Sequence, residues 1–235
     1  ELIISPNGSP FDKYKINQRK TIIEDRVTEV KTPFVYVNQF GGQDELVFDG
    51  SSLAMNGNKE VVFEAPSWEE NTSVVEFNVS AKKFNDLPFE KAQVSDLENI
   101  YMAMVIGLRD YVTKNNFPGV ILGLSGGIDS AFCAAVAVDA LGKDKVNAYM
   151  LPSVYTSTNS LDDAKDCAKR LEIHLDSIPI SNTFLSLEDS LEELFKGLPT
   201  DITEENLQSR IRGTILMAIS NLSLIHISEP TRRLN

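Results

Sequence analysis

Apolar side chains divide this 235-residue chain into short runs of strand character and longer stretches with helical period. Glu1-Leu2-Ile3-Ile4-Ser5 reads as a strand, and Pro6-Asn7-Gly8-Ser9-Pro10 as a dense turn. Lys15 to Lys31 carries Ile16, Ile22, Ile23, Val27 and Val30 among charges, the pattern of an amphipathic helix. Further strands are expected at Phe34 to Asn38, Ser52 to Met55, Glu60 to Ala65 and Thr72 to Val79. Asn56-Gly57-Asn58 supplies a hairpin turn, whereas Gln39 to Gly50 reads as a polar loop. Ser95 and Glu98 form a capping-box signature. The helix they open sets Leu97, Ile100, Tyr101, Met104, Leu108 and Tyr111 on one stripe, expected to face a core.

Beyond Pro118 the pattern changes. Val120 to Leu124 has the length and β-branching of a buried strand. Ala131 to Leu141 is alanine-rich and nearly all apolar, a helix expected to be buried on most faces, and Val146 to Leu151 is the next strand. Strand, helix, strand makes a βαβ unit, so the fold class is α/β with a doubly wound parallel sheet. Ligands of such sheets bind at the carboxyl ends of strands, where the loops at Ser125 and Pro152 fall. Ser160 and Asp163 have the spacing of a helix cap, Asp176 to Ile180 reads as a third parallel strand, and His174 just before it as a structural histidine. Asn182 to Lys196 suits a helix with a solvated acidic face. Thr203 is expected to cap a long helix through Asn221 that turns Leu207, Ile211, Leu216 and Ile219 inward and leaves Arg210 and Arg212 to solvent or phosphates.

Composition narrows the function classes. Apolar residues make up 42% of the chain, enough for a real core, and the formal net charge of −12 argues against nucleic-acid partners. Cys133 and Cys167 are the only cysteines; both sit on helical stripes as expected core thiols, and no zinc spacing exists. No apolar run is long enough to span a bilayer and no signal peptide opens the chain, so no membrane partner and a reducing, cytoplasmic setting are expected. The chain begins in mid-strand without an initiator Met, which points to a fragment.

The densest chemistry lies in Ser125-Gly126-Gly127-Ile128-Asp129-Ser130, between the apolar strand and the apolar helix. Glycines let the backbone approach a phosphate, and the unpaired amides of a helix start point towards it. Ser125 and Ser130 can add hydroxyl donors. Asp129 is a carboxylate where phosphates would repel it, a placement that makes sense if it holds a Mg²⁺ bridging to them. A Walker A loop would need a lysine after its glycines, and the dinucleotide fingerprint a third glycine; both are absent. A plain glycine turn would not explain two serines and an aspartate around it.

SGGIDS resembles the S-G-G-x-D-S loop of the ATP pyrophosphatase (PP-loop) family, whose members cleave ATP between the α and β phosphates to adenylate a substrate. The resemblance implies that Gly123, Leu124, Ser125, Gly126, Gly127, Ile128, Asp129 and Ser130 bind ATP, with Asp129 as Mg ligand. MLPSVYTSTNSLDDAK and ENLQSRIRG resemble motifs of the glutamine-dependent NAD synthetase family, and the second implies that Asn206 contacts deamido-NAD, with a weaker phosphate or interface role for Arg210 and Arg212. NGSPF and VYVNQFGGQDELVFDGSS resemble the closing third of a nitrilase-type glutamine amidohydrolase domain. There Ser9 and Lys15 match positions that contact glutamine, while the Glu, Lys and Cys triad would lie upstream of Glu1. Read from the residues alone, Ser9 is a turn residue and Lys15 a solvated helix charge.

The resemblance implies the end of a nitrilase-like domain at 1–80, a linker at 81–94 and the start of a PP-loop domain at 95–221. ATP, deamido-NAD and glutamine are the implied ligands, and the complete protein is expected to form a homo-oligomer. LSLIHISEPTRRLN, 222–235, fits none of this; its LIHISEPTR resembles translated adapter sequence from metagenomic reads, so it is expected to be a non-native tail and His226 is given no chemistry. Another PP-loop amidotransferase, or a nucleotide-binding module without catalysis, are the alternatives.

Overall fold

The structure is a computed structural model that describes residues 1–85, 94–196 and 202–228. The chain divides into two compact units, 1–115 and 116–235.

In the first unit, strand β1 (Ile3–Asn7) runs parallel to β2 (Phe34–Asn38), with Ile3 opposite Phe34 and Asn7 opposite Asn38. Helix α1 (Lys15–Val30) makes the crossover that parallel neighbours require. Of its expected apolar face only Ile23 and Val27 are fully buried, against Tyr36, Leu53 and Met55, and Arg19, which was not expected there, is buried on the same stripe. Ile22 and Val30 are turned outwards. The stretch read as a polar loop is instead a hairpin of β3 (Phe40–Gln43) and β4 (Leu46–Asp49). Strands β5 (Leu53–Met55) and β6 (Val61–Glu64) extend the main sheet antiparallel, giving the order β1-β2-β5-β6. The strand expected over Thr72 to Val79 shrinks to β7 (Phe77–Asn78), paired with β8 (Lys83–Phe84).

Helix α2 (Asp96–Lys114) opens on Ser95, whose Oγ accepts a hydrogen bond from the Glu98 N–H at 3.2 Å, as its capping box requires. Its buried residues are Asn99, Val105, Ile106, Asp110 and Val112, not the expected stripe; Leu97 and Tyr111 are exposed. Two polar anchors choose that face. The Gly42 N–H donates to Asp110 Oδ2 at 2.7 Å, and Trp68 Nε1–H donates to Asn99 Oδ1 at 2.8 Å. The hairpin accepts the carboxylate only because Gly41, at φ +111°, has no Cβ, which would stand 2.8 Å from Asp110 Oδ2. Helix α2 therefore packs with the first unit, and the compact division falls after Asn115. Of the expected linker, 86–93 lie outside the described residues.

The second unit is a parallel sheet ordered β11-β10-β9. It runs β9 (Val120–Gly123), α3 (Ile128–Leu141), β10 (Val146–Met150), α4 (Thr158–Leu171), β11 (His174–Ser177), α5 (Ser181–Phe195) and α6 (Ile202–Ser228). Val146 lies opposite Val120, and Asn147 opposite His174, so the expected βαβ order is present. Ala134, Val136, Ala137 and Ala140 of α3 are buried, but Ile128 and Phe132 are exposed, so this helix is covered on one side only. Cys133 is exposed rather than a core thiol; Cys167 is half-buried, and burial, then the neighbouring Asp166, push its thiol pKa up. The cap of α4 is Ser157, not Ser160: the Ser160 N–H donates to Ser157 Oγ at 3.1 Å. His174 lies within β11, its Nε2 2.9 Å from Asp176 Oδ2.

Leu151, Ile180, Phe184 and Ile211 form a core with Leu207, Ile215 and Leu216 packed on it, as the inward face of α6 predicts. That helix begins at Ile202, ahead of Thr203, and continues past Asn221 to Ser228. Residues 229–235 lie outside the described residues. Among the described residues no helix is long and apolar enough to cross a membrane.

Burial alone would raise the Asp110 carboxyl, but hydrogen bonds from Arg109 and the Gly42 N–H outweigh it and hold the pKa below the ordinary aspartate value. Its stabilisation is complete above the unfolded value of about 4 and is lost as pH falls through the folded one. Urea titrations of the chain should therefore show Asp110→Asn flattening the acid loss of stability below about pH 4. An unchanged acid slope would mean that α2 is not anchored through this carboxylate.

Candidate functional site

Strand β9 stops at Gly123, and the buried Leu124 makes one more sheet bond, its N–H donating to the Tyr149 carbonyl at 2.9 Å. The chain then turns through Ser125-Gly126-Gly127 into α3. Gly126 has φ +84°, and a Cβ there would lie 2.1 Å from the Ser160 carbonyl oxygen, so only glycine fits. This close approach brings the glycine turn against the first turn of α4.

The two serines brace the turn from within. Ser130 Oγ donates to the Gly127 carbonyl at 2.9 Å and lies 3.1 Å from Ser125 Oγ. Ser130 Oγ accepts from the Ser125 N–H at 3.2 Å, and Ser125 Oγ from the Gly127 N–H at 3.3 Å. Gly127 occupies the cap position of α3 without any side-chain cap, which leaves that helix start open to an outside acceptor. Asp129 sits exposed in this first turn. Among the described residues no three His, Cys, Asp or Glu side chains gather as a metal cage. One exposed carboxylate beside a phosphate-shaped turn nevertheless fits Mg²⁺, which takes one or two carboxylates and completes its shell with phosphates and water.

The second wall is the loop after β10. Its hydroxyls are also internal braces: the Ser153 N–H donates to Thr156 Oγ1 at 2.9 Å, and the Thr156 N–H to the Ser153 carbonyl at 3.1 Å. Tyr155 meets the buried Phe184 edge-on, ring centres 6.3 Å apart. Between the two loops opens a cavity of about 470 Å³. Gly123, Leu124 and Ser125 line one side, Tyr149 to Pro152 and Tyr155 to Ser157 the other, with Leu161, Arg212 and Leu216 closing it. It is large enough for a nucleotide and mixes apolar side chains with hydroxyls, and of the glycine turn it is Ser125 that reaches its lining.

Arg212 is not a solvent-facing charge. Its Nε–H donates to the Leu151 carbonyl at 3.0 Å and one Nη to Gln208 Oε1 at 3.4 Å, and burial lowers its pKa from the ordinary guanidinium value. Arg210 and Asn206 are exposed on α6, and Asn206 is not part of the cavity lining.

In the first unit Ser9 belongs to a buried network rather than a free turn. Its Oγ accepts from Arg19 Nε–H at 3.1 Å, its N–H donates to Asn38 Oδ1 at 2.9 Å, and its carbonyl accepts from an Arg19 Nη at 2.8 Å. The other Arg19 Nη lies 2.8 Å from both oxygens of Asp49, which is fully buried. Lys15 begins α1 and is half-exposed. The sequence reading missed Arg19 and Asp49. Its usable signal was spacing: Arg19 stands one helical turn before Ile23 and two before Val27, in the stripe that is buried.

Residues 100–227, more than half of the chain, match the model of the family described as NAD synthase. The chain belongs to the NAD synthase family. The glutamine-dependent NAD(+) synthetase of Rhodobacter capsulatus is 45% identical over 94% of this chain, and that of Acinetobacter baylyi 42% identical over 94%. The chain spans about 40% of the length of these relatives. Among solved structures, the glutamine-dependent NAD+ synthetase of Acinetobacter baumannii in complex with ADP superposes with TM-score 0.88 at 41% identity, covering 94% of this chain and 42% of that one. A synthetase from Cytophaga hutchinsonii, 19% identical with TM-score 0.76, shares the fold. The family match runs six residues past Asn221, into the stretch expected to be foreign.

Within this NAD synthase chain the two turn glycines are not equivalent. Gly126→Ala meets both a left-handed backbone and the Ser160 carbonyl, whereas a Cβ at Gly127 would rest 3.4 Å from Ser125 Oγ, an ordinary contact. Gly126→Ala should cost more than about 2 kcal/mol in urea unfolding and Gly127→Ala less than about 1. Equal costs would show that the approach to α4 does not shape the turn.

Proposed function

We propose that the second unit is the ATP-dependent amidating half of a glutamine-dependent NAD synthetase. The carrying observation is the strand, glycine turn and open helix start at the carboxyl edge of a parallel sheet, beside a nucleotide-sized cavity. That the Acinetobacter baumannii relative was solved with ADP supports the same reading.

In this reaction a carboxylate oxygen on the nicotinate ring of deamido-NAD attacks the α-phosphorus of ATP, and pyrophosphate leaves. Ammonia, released from glutamine elsewhere in the complete protein, then attacks the acyl carbon; AMP departs and the amide of NAD remains. The amides of Gly126 and the first turn of α3 take up charge on the departing pyrophosphate. Leu124, Met150, Leu151 and Leu216 offer the base an apolar bed, and Tyr155 shields it. Asp129 would hold Mg²⁺, which supplies charge neutralisation between the phosphates when bound. The adenylation step needs no acid–base pair, since the carboxylate is already ionised. Asn206 contacts deamido-NAD from the exposed face of α6, with Arg210 beside it.

In the first unit, Ser9 and Lys15 contact glutamine. The Arg19–Asp49 pair fixes Ser9 from behind, and the hydroxyl proton stays free to donate, since Ser9 Oγ accepts from Arg19.

In a complete enzyme carrying this sequence, Asp129→Asn should lower AMP release by at least about 100-fold while glutamine hydrolysis persists. AMP release at the parent rate would remove Asp129 from the reaction.

A further inference from the structure

The carbonyls from Tyr149 to Pro152, at and just past the end of β10, alternate in direction, and one of them lacks the backbone partner its direction implies. Met150 and Pro152 face β11 and accept from the Ile178 and Ile180 N–H groups, each at 2.8 Å. Tyr149 faces β9 and accepts from the Leu124 N–H at 2.9 Å. By the same parallel register the Leu151 carbonyl should accept from the N–H of Gly126. It does not, because the chain has already left the sheet: Gly126 is folded against Ser160. A carbonyl without a partner at this depth would cost stability. The donor it finds is Arg212 Nε–H, at 3.0 Å, from α6.

We propose that Arg212 is a positioning residue that replaces the missing β9 donor, so that β9 and β10 part without exposing the sheet and the nucleotide crevice stays open between them. Its guanidinium acts through Leu151 on the 151–157 loop, not on the phosphates. Gln208, itself buried, holds the other end of the guanidinium through its Oε1. The effect on nucleotide binding rests on the ATP reading above; the effect on the loop does not.

Two substitutions separate this role from that of a phosphate-binding cation. Arg212→Gln places an amide N–H at the atom position of Nε and removes the charge. Arg212→Lys places a methylene there and keeps the charge. Amide hydrogen exchange of the nucleotide-free 1–235 chain reads the loop directly. Lysine should speed exchange across 151–157 by about tenfold and glutamine by less than about threefold, with α3 unchanged in both. In titrations with Mg·ATP, lysine should weaken binding about tenfold and glutamine less than about threefold, while tripolyphosphate binds both variants like the parent. The proposal is overturned if lysine behaves as the parent and glutamine does not, or if tripolyphosphate binding falls with loss of charge. Failure of the parent chain to bind Mg·ATP would count against the ATP reading, and the exchange result would still decide Arg212.

Discussion

The second unit depends on one close approach, that of Gly126 to the carbonyl of Ser160. A parallel sheet with a βαβ crossover can carry a strand into a helix through many turns. This one must turn tightly enough to press against the next helix of the sheet, and no side chain fits in the gap. The same contact diverts the backbone from β10 one residue before its next sheet bond. A tight turn, an open crevice and a Leu151 carbonyl without a backbone donor are thus three consequences of one steric constraint. Arg212 answers the third, and the cap of α4 by Ser157 fixes the partner on which Gly126 leans.

The turn was legible in the sequence because its chemistry is local. Six consecutive residues carry the conformational freedom and the carboxylate, and the flanking strand and helix are set by their own apolar runs; the two serines, expected as donors to a phosphate, are instead braces within the turn. The parallel order followed from strand, helix, strand for the same reason. What local reading could not give was the side of a helix that would be covered. For α2, an apolar stripe lost to a face bearing Asn99 and Asp110, since Trp68 offered the first and the hairpin's Gly42 the second a hydrogen bond that solvent would otherwise have had to supply. Cys133 and Phe132 erred in the other direction: a helix rich in alanine is apolar all round, so its composition does not mark the buried side.

The first unit teaches a related lesson through charge. Arg19 and Asp49 are far apart in the chain, and although Asp49 falls within VYVNQFGGQDELVFDGSS nothing local pairs it with Arg19, yet their ion pair is the polar centre around which Ser9 and Asn38 are arranged. A buried pair of this kind adds little net stability over apolar residues, but breaking it strands a charge. It therefore acts mainly as a fixed reference for the turn that carries Ser9. Arg212 plays a comparable part in the second unit, where a charged side chain is spent on a backbone carbonyl.

On the function proposed above, the turn after β9 is an anion site for the triphosphate. Backbone amide NMR of the 1–235 chain, titrated with Mg·tripolyphosphate and then with Mg·ATP, tests it most directly. The largest shifts with tripolyphosphate should fall on Gly126 to Ser130, and ATP should add shifts at Leu124, Leu151 and Tyr155. Shifts confined to other surfaces, with Gly126 to Ser130 unmoved by either ligand, would contradict it.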